Sequence, residues 1–165
     1  MPAEAIIENT EFRNNRAKNG AGIYASRATS ATSGPVVISN TTFINNTAFK
    51  GQGGGVFASG TSTLNINDCK FIENKAIAMD VSGSEVGGWG SGLYTSSANT
   101  KITVTQSVFI DNTANNSNYN DAGIYIGSGK LDISDSIILA KDGDAHYALN
   151  SDGATVTAED NWWGG

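Results

Sequence analysis

The chain has 165 residues, with 20 glycines, 18 asparagines, two prolines and a net charge of −6. Average glycine usage is about 7%, so this glycine content argues against a plain helical domain, and the lack of a Gly-X-Y period excludes collagen. The acidic balance argues against nucleic acid as a partner, and no apolar run approaches the roughly 20 residues of a membrane-spanning helix. The single cysteine excludes an internal disulfide and a cysteine-based zinc site.

Three short motifs recur in a constant order, and the first is an aliphatic residue followed by a polar turn and a large apolar residue. The polar turn position is occupied by Asn9, Asn40, Asp68, Gln106 and Asp135. Asn and Asp tolerate a left-handed backbone, and stacked amide side chains hydrogen-bond along a repeat axis, so we expect a structural turn ladder. A degenerate last copy, Val156 to Asn161, puts Asn161 at the large apolar position.

The large apolar residue opens the second motif, Phe-x-x-Asn-x-Ala. Its phenylalanines and asparagines are Phe12, Asn15, Phe43, Asn46, Phe71, Asn74, Phe109 and Asn112. Because these residues hold the same place in successive repeats, we predict that they are structural.

The third motif is a small residue, glycine, an aliphatic residue and an aromatic residue. Period-two alternation turns its aromatic residues outward beside a bare glycine strip, and these residues are Tyr24, Phe57, Tyr94 and Tyr125. One interpretation is a stacking platform for a sugar or peptide; the other is that loops cover the aromatic ladder or a bend turns it inward. An imperfect fifth copy, Ala145 to Ala148, places His146 at the glycine position and Tyr147 inward.

Each repeat therefore contains three strand-like segments and no helical period. A unit of about 30 residues with three short strands cannot bury its own apolar face, whereas stacked units can. The pattern predicts a single all-β domain over residues 1–165: a right-handed, single-stranded parallel β-helix of about five coils.

Two long loops fall in successive coils, over residues 75–89 and 113–121. Variable loops on a rigid scaffold are where binding usually occurs, so we predict ligand-facing side chains at Asp80, Trp89, Tyr119 and Asp121. The alternative is ordinary solvated loop chemistry.

Other signals are weaker. Cys69 follows a polar turn position and is interpreted as a small inward residue rather than a reactive thiol. His146 is the only histidine and is interpreted as an ordinary surface residue. Asp142 and Asp144 could bind calcium together with backbone oxygens, but a simple turn is the favoured interpretation. We therefore predict no bound metal. We also predict no cofactor and no catalytic residue.

The repeated Phe-x-x-Asn and Gly-Gly-x-aliphatic motifs, over residues 5–138, resemble those of the polymorphic outer membrane proteins, whose passenger domains are surface β-helices. The segment Asn161-Trp162-Trp163-Gly164 is similar to the close of coils in adhesin-like proteins of methanogenic archaea. The resemblance implies an extracellular, cell-surface location and adhesion or recognition without chemistry.

We therefore expect a non-enzymatic module that binds a cell-surface glycan or protein. A polysaccharide lyase or hydrolase and a purely structural spacer are the alternatives. Solenoids need polar caps, so the uncapped ends predict a fragment of a longer surface protein or end-to-end association of coils.

Overall fold

The computed structural model describes residues 5–27, 34–49, 51–60, 62–82, 84–115, 122–140 and 147–164. These residues form 22 short strands, β1 to β22, which assemble into four parallel sheets and one antiparallel hairpin. No helix that could cross a membrane occurs in the ranges just given.

The four sheets are named in the order in which the chain visits them. Sheet A contains β1 (Ala5–Glu8), β5 (Val36–Ser39), β9 (Thr63–Asn67), β15 (Lys101–Thr105), β19 (Lys130–Ser134) and β22 (Thr155–Glu159). Sheet B contains β2 (Glu11–Arg13), β6 (Thr42–Ile44), β10 (Lys70–Ile72), β16 (Val108–Ile110) and β20 (Ile137–Leu139). Sheet C contains β3 (Arg16–Ala17), β7 (Thr47–Phe49), β11 (Lys75–Ile77) and β17 (Thr113–Asn115). Sheet D contains β4 (Ile23–Arg27), β8 (Val56–Gly60), β14 (Leu93–Thr95), β18 (Ala122–Ile126) and β21 (Tyr147–Ser151). The hairpin is β12 (Met79–Val81) with β13 (Ser84–Val86).

Each complete coil has four strands, one in each sheet, and not the three that the sequence motifs predict. The difference arises inside the Phe-x-x-Asn-x-Ala motif, where a left-handed residue separates the Phe strand from the Ala strand. The left-handed residues of this second turn are Asn14, Asn45, Glu73 and Asp111, with φ between 52° and 57°. Coils 1 to 6 begin at the sheet A strands β1, β5, β9, β15, β19 and β22, respectively. Successive coils pair in parallel, so the chain is a parallel β-helix.

The predicted turn ladder between sheets A and B is confirmed. Its five residues, Asn9, Asn40, Asp68, Gln106 and Asp135, all have φ between 44° and 51°. The side chains also bond along the axis at the start of the ladder, where Asn40 Nδ2 donates to Asn9 Oδ1 at 2.7 Å. The polar turn thus bends the chain and ties adjacent coils together.

A stack of phenylalanine rings fills the interior. The centroids of Phe43 and Phe71 are 4.7 Å apart with an interplanar angle of 9°, and those of Phe71 and Phe109 are 4.4 Å apart with an angle of 2°. All three rings are at most 1% exposed. Beside them runs a buried amide ladder in which Asn46 Nδ2 donates to Asn74 Oδ1 at 3.0 Å. Both recurring places of the motif are therefore structural in coils 2 to 4, where the rings and the amides are buried.

The glycines of the third motif face the core and do not form an exterior strip, which corrects the prediction. A Cβ atom added to Gly55 would lie 2.5 Å from the carbonyl oxygen of Gly92 and 2.9 Å from Cδ1 of Phe71. The alternation begins only after this glycine, because the chain turns a corner there before β8 starts. Glycine is needed at Gly22, Gly55 and Gly92, because the Phe stack packs directly against the backbone there.

Two degenerate copies are aligned wrongly by the sequence pattern, each by two residues. In coil 5, Leu149 pairs with Ile124, so Ala148 occupies the glycine position and His146 lies outside the described residues. In coil 6, Glu159 pairs with Ser134, so Asp160, with φ 54°, continues the turn ladder. A slip of two residues preserves the alternation of inward and outward side chains, so the pattern alone could not detect it.

Candidate functional site

The connection between sheets C and D is much longer in coil 3 than in coils 1 and 2, where residues 18–22 and 50–55 make it. Sheets A and B, and sheets B and C, are joined by two-residue turns in each coil that the structure describes at those corners. Between sheets C and D, coil 3 instead carries residues 78–90, which we call the hairpin corner and which includes β12 and β13. Within it Asp80 pairs with Glu85 across the antiparallel strands.

The hairpin corner is fixed to the coils on both sides. Gly88 N donates to Gly51 O in coil 2 at 2.8 Å, and Ala78 N donates to Asn115 Oδ1 in coil 4 at 2.7 Å. Gly53 N also donates to the carbonyl oxygen of Trp89 at 3.2 Å. The base of the insertion is therefore part of the scaffold, and it touches the coil that carries the second predicted loop.

Beneath the hairpin corner lies an aromatic cluster outside the main core. The ring centroids of Trp89 lie 5.8 Å from those of Tyr125 and 6.2 Å from those of Tyr94. Phe57 stacks on Tyr94 at 5.2 Å, and Tyr94 on Tyr125 at 5.6 Å. Burial raises the pKa of the Tyr94 hydroxyl above its ordinary value, because the charged phenolate is poorly solvated there.

The prediction of an exposed aromatic ladder is wrong for three of its four residues. Phe57, Tyr94 and Tyr125 are 9%, 3% and 7% exposed, and Tyr24 alone of the four is exposed, at 53%. The alternative interpretation, that the chain covers the ladder, describes what is seen, because Trp89 packs against it. The period-two alternation correctly predicted that these rings point away from the main core. It could not show which part of the chain covers them.

The predicted ligand-facing residues are placed only in part. Asp80 is on β12 and Trp89 lies at the C-terminal end of the insertion, partly buried. Tyr119 and Asp121 lie outside the described residues, as do Asp142 and Asp144. Val86, at the end of β13, is 48% exposed and was not singled out from the sequence, since an isolated valine carries no signal there.

A shallow depression of about 190 Å³ lies on the outer side of sheet A, lined by residues of β15, β19 and β22 that include Asp132 and Glu159. Lys130 Nζ lies 2.9 Å from Asp132 Oδ2. The hydrogen bond from Lys130 lowers the pKa of Asp132, so this carboxyl is ionised near neutral pH and is a poor proton donor.

Cys69 is a structural member of a ladder of small residues. Its side chain is not part of a disulfide, and the residue is 1% exposed. Its backbone N donates to Ser107 Oγ at 3.1 Å. Burial raises the pKa of its thiol, so it is a weak nucleophile at neutral pH. In the part of the chain that the structure describes, no group of three or more His, Cys, Asp or Glu residues is placed to hold a metal ion.

The family model for the right-handed β-helix region matches residues 3–162. The chain belongs to the right-handed β-helix family. No curated protein and no solved structure matches it. Membership of the right-handed β-helix family defines the scaffold, whereas function depends on the sites that the scaffold displays. The finer resemblance to polymorphic outer membrane proteins and archaeal adhesins stays a prediction.

Proposed function

We propose that this right-handed β-helix is a non-enzymatic, surface-displayed, adhesin-like module, whose hairpin corner binds a cell-surface glycan or protein. The observation that carries the proposal is the contrast between coils at the corner of sheets C and D: residues 18–22 and 50–55 make this connection in coils 1 and 2, whereas coil 3 has an anchored hairpin. Hydrogen bonds to Gly51 and Asn115 fix the hairpin at its base, while Val86 stays exposed. A fixed loop loses little conformational entropy on binding.

The aromatic cluster supports this proposal as an anchor and not as a stacking platform. Phe57, Tyr94 and Tyr125 offer little surface to a ligand, but their stack with Trp89 holds the base of the hairpin. An extracellular or cell-surface location belongs to the same proposal.

The test is binding by a variant that lacks the hairpin. Residues 78–88 are replaced by Lys-Gly, the residues that coil 2 has between Phe49 and Gln52, because Gln52 pairs with Trp89 across the coils. We expect the wild-type chain to bind members of a glycan array or intact cells, and the variant to lose that binding while keeping its β-sheet circular dichroism. Equal binding by both proteins would contradict the choice of the hairpin corner.

The runner-up is a polysaccharide-cleaving enzyme, and the acidic residues Asp132 and Glu159 at the depression on sheet A are its best candidate groups. Incubation with acidic polysaccharides decides between the two functions. Release of unsaturated or reducing ends that Asp132→Asn abolishes would establish the enzyme and overturn the adhesin proposal.

A further inference from the structure

The outer side of sheet B carries an apolar surface that none of the repeat motifs explains. On β16, Phe109 points into the core and is 1% exposed, whereas Val108 and Ile110 on either side of it point outward and are partly exposed. Because the strands pair in register, the outward side chains form two rows along the rod. We define the outer apolar face by Ile72, Ile110, Leu139, Val108, Ile137 and Trp162.

The turns at the two edges of sheet B are too short to cover this face. Each consists of two residues, such as Asp68-Cys69 before β10 and Glu73-Asn74 after it. The longer loops lie at the two corners that flank sheet D, away from this face. Trp162, at the end of the face, is 56% exposed. The other five residues of the face are partly exposed. Contiguous apolar surface that is open to solvent points to an interaction site.

Acidic side chains border the face on both edges. The left-handed turn residues Asp68, Asp135 and Asp160 lie along the edge shared with sheet A, and Glu73 and Asp111 along the edge shared with sheet C. Among the described residues of β10, β16, β20, the Trp162–Gly164 segment and their turns, Lys70 is the one basic residue. Left-handed turns favour Asn and Asp, but in coils 1 and 2 uncharged asparagine is used at every one of these positions. Geometry alone therefore does not account for the carboxylates.

We propose that the outer apolar face of sheet B binds a basic amphipathic helix of a partner protein, lying along the axis of the rod. Apolar side chains one turn apart on a helix repeat every ~5.4 Å, close to the ~4.8 Å spacing of the coils. Lysines and arginines on either side of the apolar stripe would reach the two acidic edges, and their aliphatic stems extend the apolar contact. A second copy of this chain is a poorer occupant, because its acidic edges would face those of the first.

The experiment titrates the full chain with a synthetic 18-residue peptide that has leucine at heptad positions a and d and lysine elsewhere. A peptide of the same composition, with leucines distributed around the helix, is the matched probe. Calorimetry at physiological salt is expected to show binding of the first peptide at least tenfold tighter than binding of the second. Equal affinities would overturn the proposal, as would no binding of the first.

Two pairs of variants locate the contact. Val108→Thr with Ile110→Thr, which keeps β-branched residues on the strand, should weaken binding at least tenfold, whereas Val37→Thr, a partly exposed outward position of sheet A, should change it less than twofold. Asp111→Asn with Asp135→Asn should weaken binding about three- to tenfold and reduce its salt dependence. The matched charge control, Glu8→Gln with Asp152→Asn, should change neither the affinity nor its salt dependence to this extent.

An equal effect of the control variants would mean non-specific attraction between a cationic peptide and an acidic protein, and would overturn the proposal. Sedimentation of the chain without peptide tests whether a second copy of the chain occupies the face instead. A concentration-dependent dimer that Val108→Thr with Ile110→Thr abolishes would assign the face to a second copy instead.

Discussion

Asn74 and Asn112 stack in adjacent coils, and the Nδ2 atom of Asn74 donates to Oδ1 of Asn112 at 2.9 Å in an interior where the two residues are 0% and 3% exposed. The same Nδ2 atom donates to the carbonyl oxygen of Phe43 at 2.9 Å. One side chain thus satisfies buried backbone and joins three successive coils, which explains why the repeat needs an amide at this place.

Replacing Asn74 by alanine should destabilise the fold strongly. The backbone N and Nδ2 of Asn46 both donate to Asn74 Oδ1, at 3.1 and 3.0 Å, and would lose their acceptor in a buried site. Because unsatisfied buried donors each cost about 1–3 kcal/mol, we expect a loss of about 2–4 kcal/mol, measured by urea unfolding. Asn65→Ala, at an exposed position of β9, is the control and should cost less than about 0.5 kcal/mol. Similar losses from both would contradict the role of the buried ladder.

The glycines of the third motif should differ in their tolerance of alanine. Gly55→Ala places a Cβ 2.5 Å from Gly92 O, and backbone cannot yield cheaply, so we expect a loss of about 1–3 kcal/mol or more. At Gly123 the nearest atom to such a Cβ is Ala148 O at 3.3 Å, which requires a shift of only a few tenths of an ångström, so Gly123→Ala should cost clearly less than Gly55→Ala. Thermal denaturation of the two variants measures the difference, and an equal change in Tm would refute this account.

Cys69→Ser should preserve the fold, because Ser107 and Ser136 occupy the same place in the next coils and donate to backbone oxygens two residues earlier. The folded-state pKa of Cys69 is raised, so its contribution to stability is complete below its ordinary value of 9.0 and is lost as pH rises toward the folded pKa. Wild-type stability should therefore fall more steeply above pH 9 than that of Cys69→Ser. Identical pH profiles by urea unfolding would exclude this linkage.

Trp89→Ala should loosen the hairpin corner without unfolding the rod. Loss of its stacking on Tyr94 and Tyr125 removes the anchor, so protease cleavage within residues 79–86 should become at least about tenfold faster, while Tm falls by only a few degrees. Trp163→Ala removes a ring of 43% exposure in the segment after β22 and should leave the cleavage rate unchanged. Cleavage that is equally fast in wild type would show that Trp89 does not hold the hairpin.

Prediction from sequence succeeded where the coil repeats itself. The repeat places Asn40 and Asp135 at one turn position because the same turn must recur in each coil, and both have left-handed φ. Prediction failed where two copies lack the marker residues: the pattern misplaces the positions of Leu149 and Asp160 by two residues, since alternation tolerates such a slip. For the candidate site, the sequence located the long insertion but not the antiparallel pairing of Asp80 with Glu85.

The repeat pattern is enough to predict the coil, because a strand face that repeats every 30 or so residues can be buried only by stacking on its neighbours. Which outward side chains are covered is visible only in the folded molecule. Tyr94 and Ile110 both alternate with core residues, yet Tyr94 is buried under the hairpin corner while Ile110 stays partly exposed. The physical reason is that exposure of an outward residue depends on a segment distant in the sequence, and local periodicity carries no information about that segment.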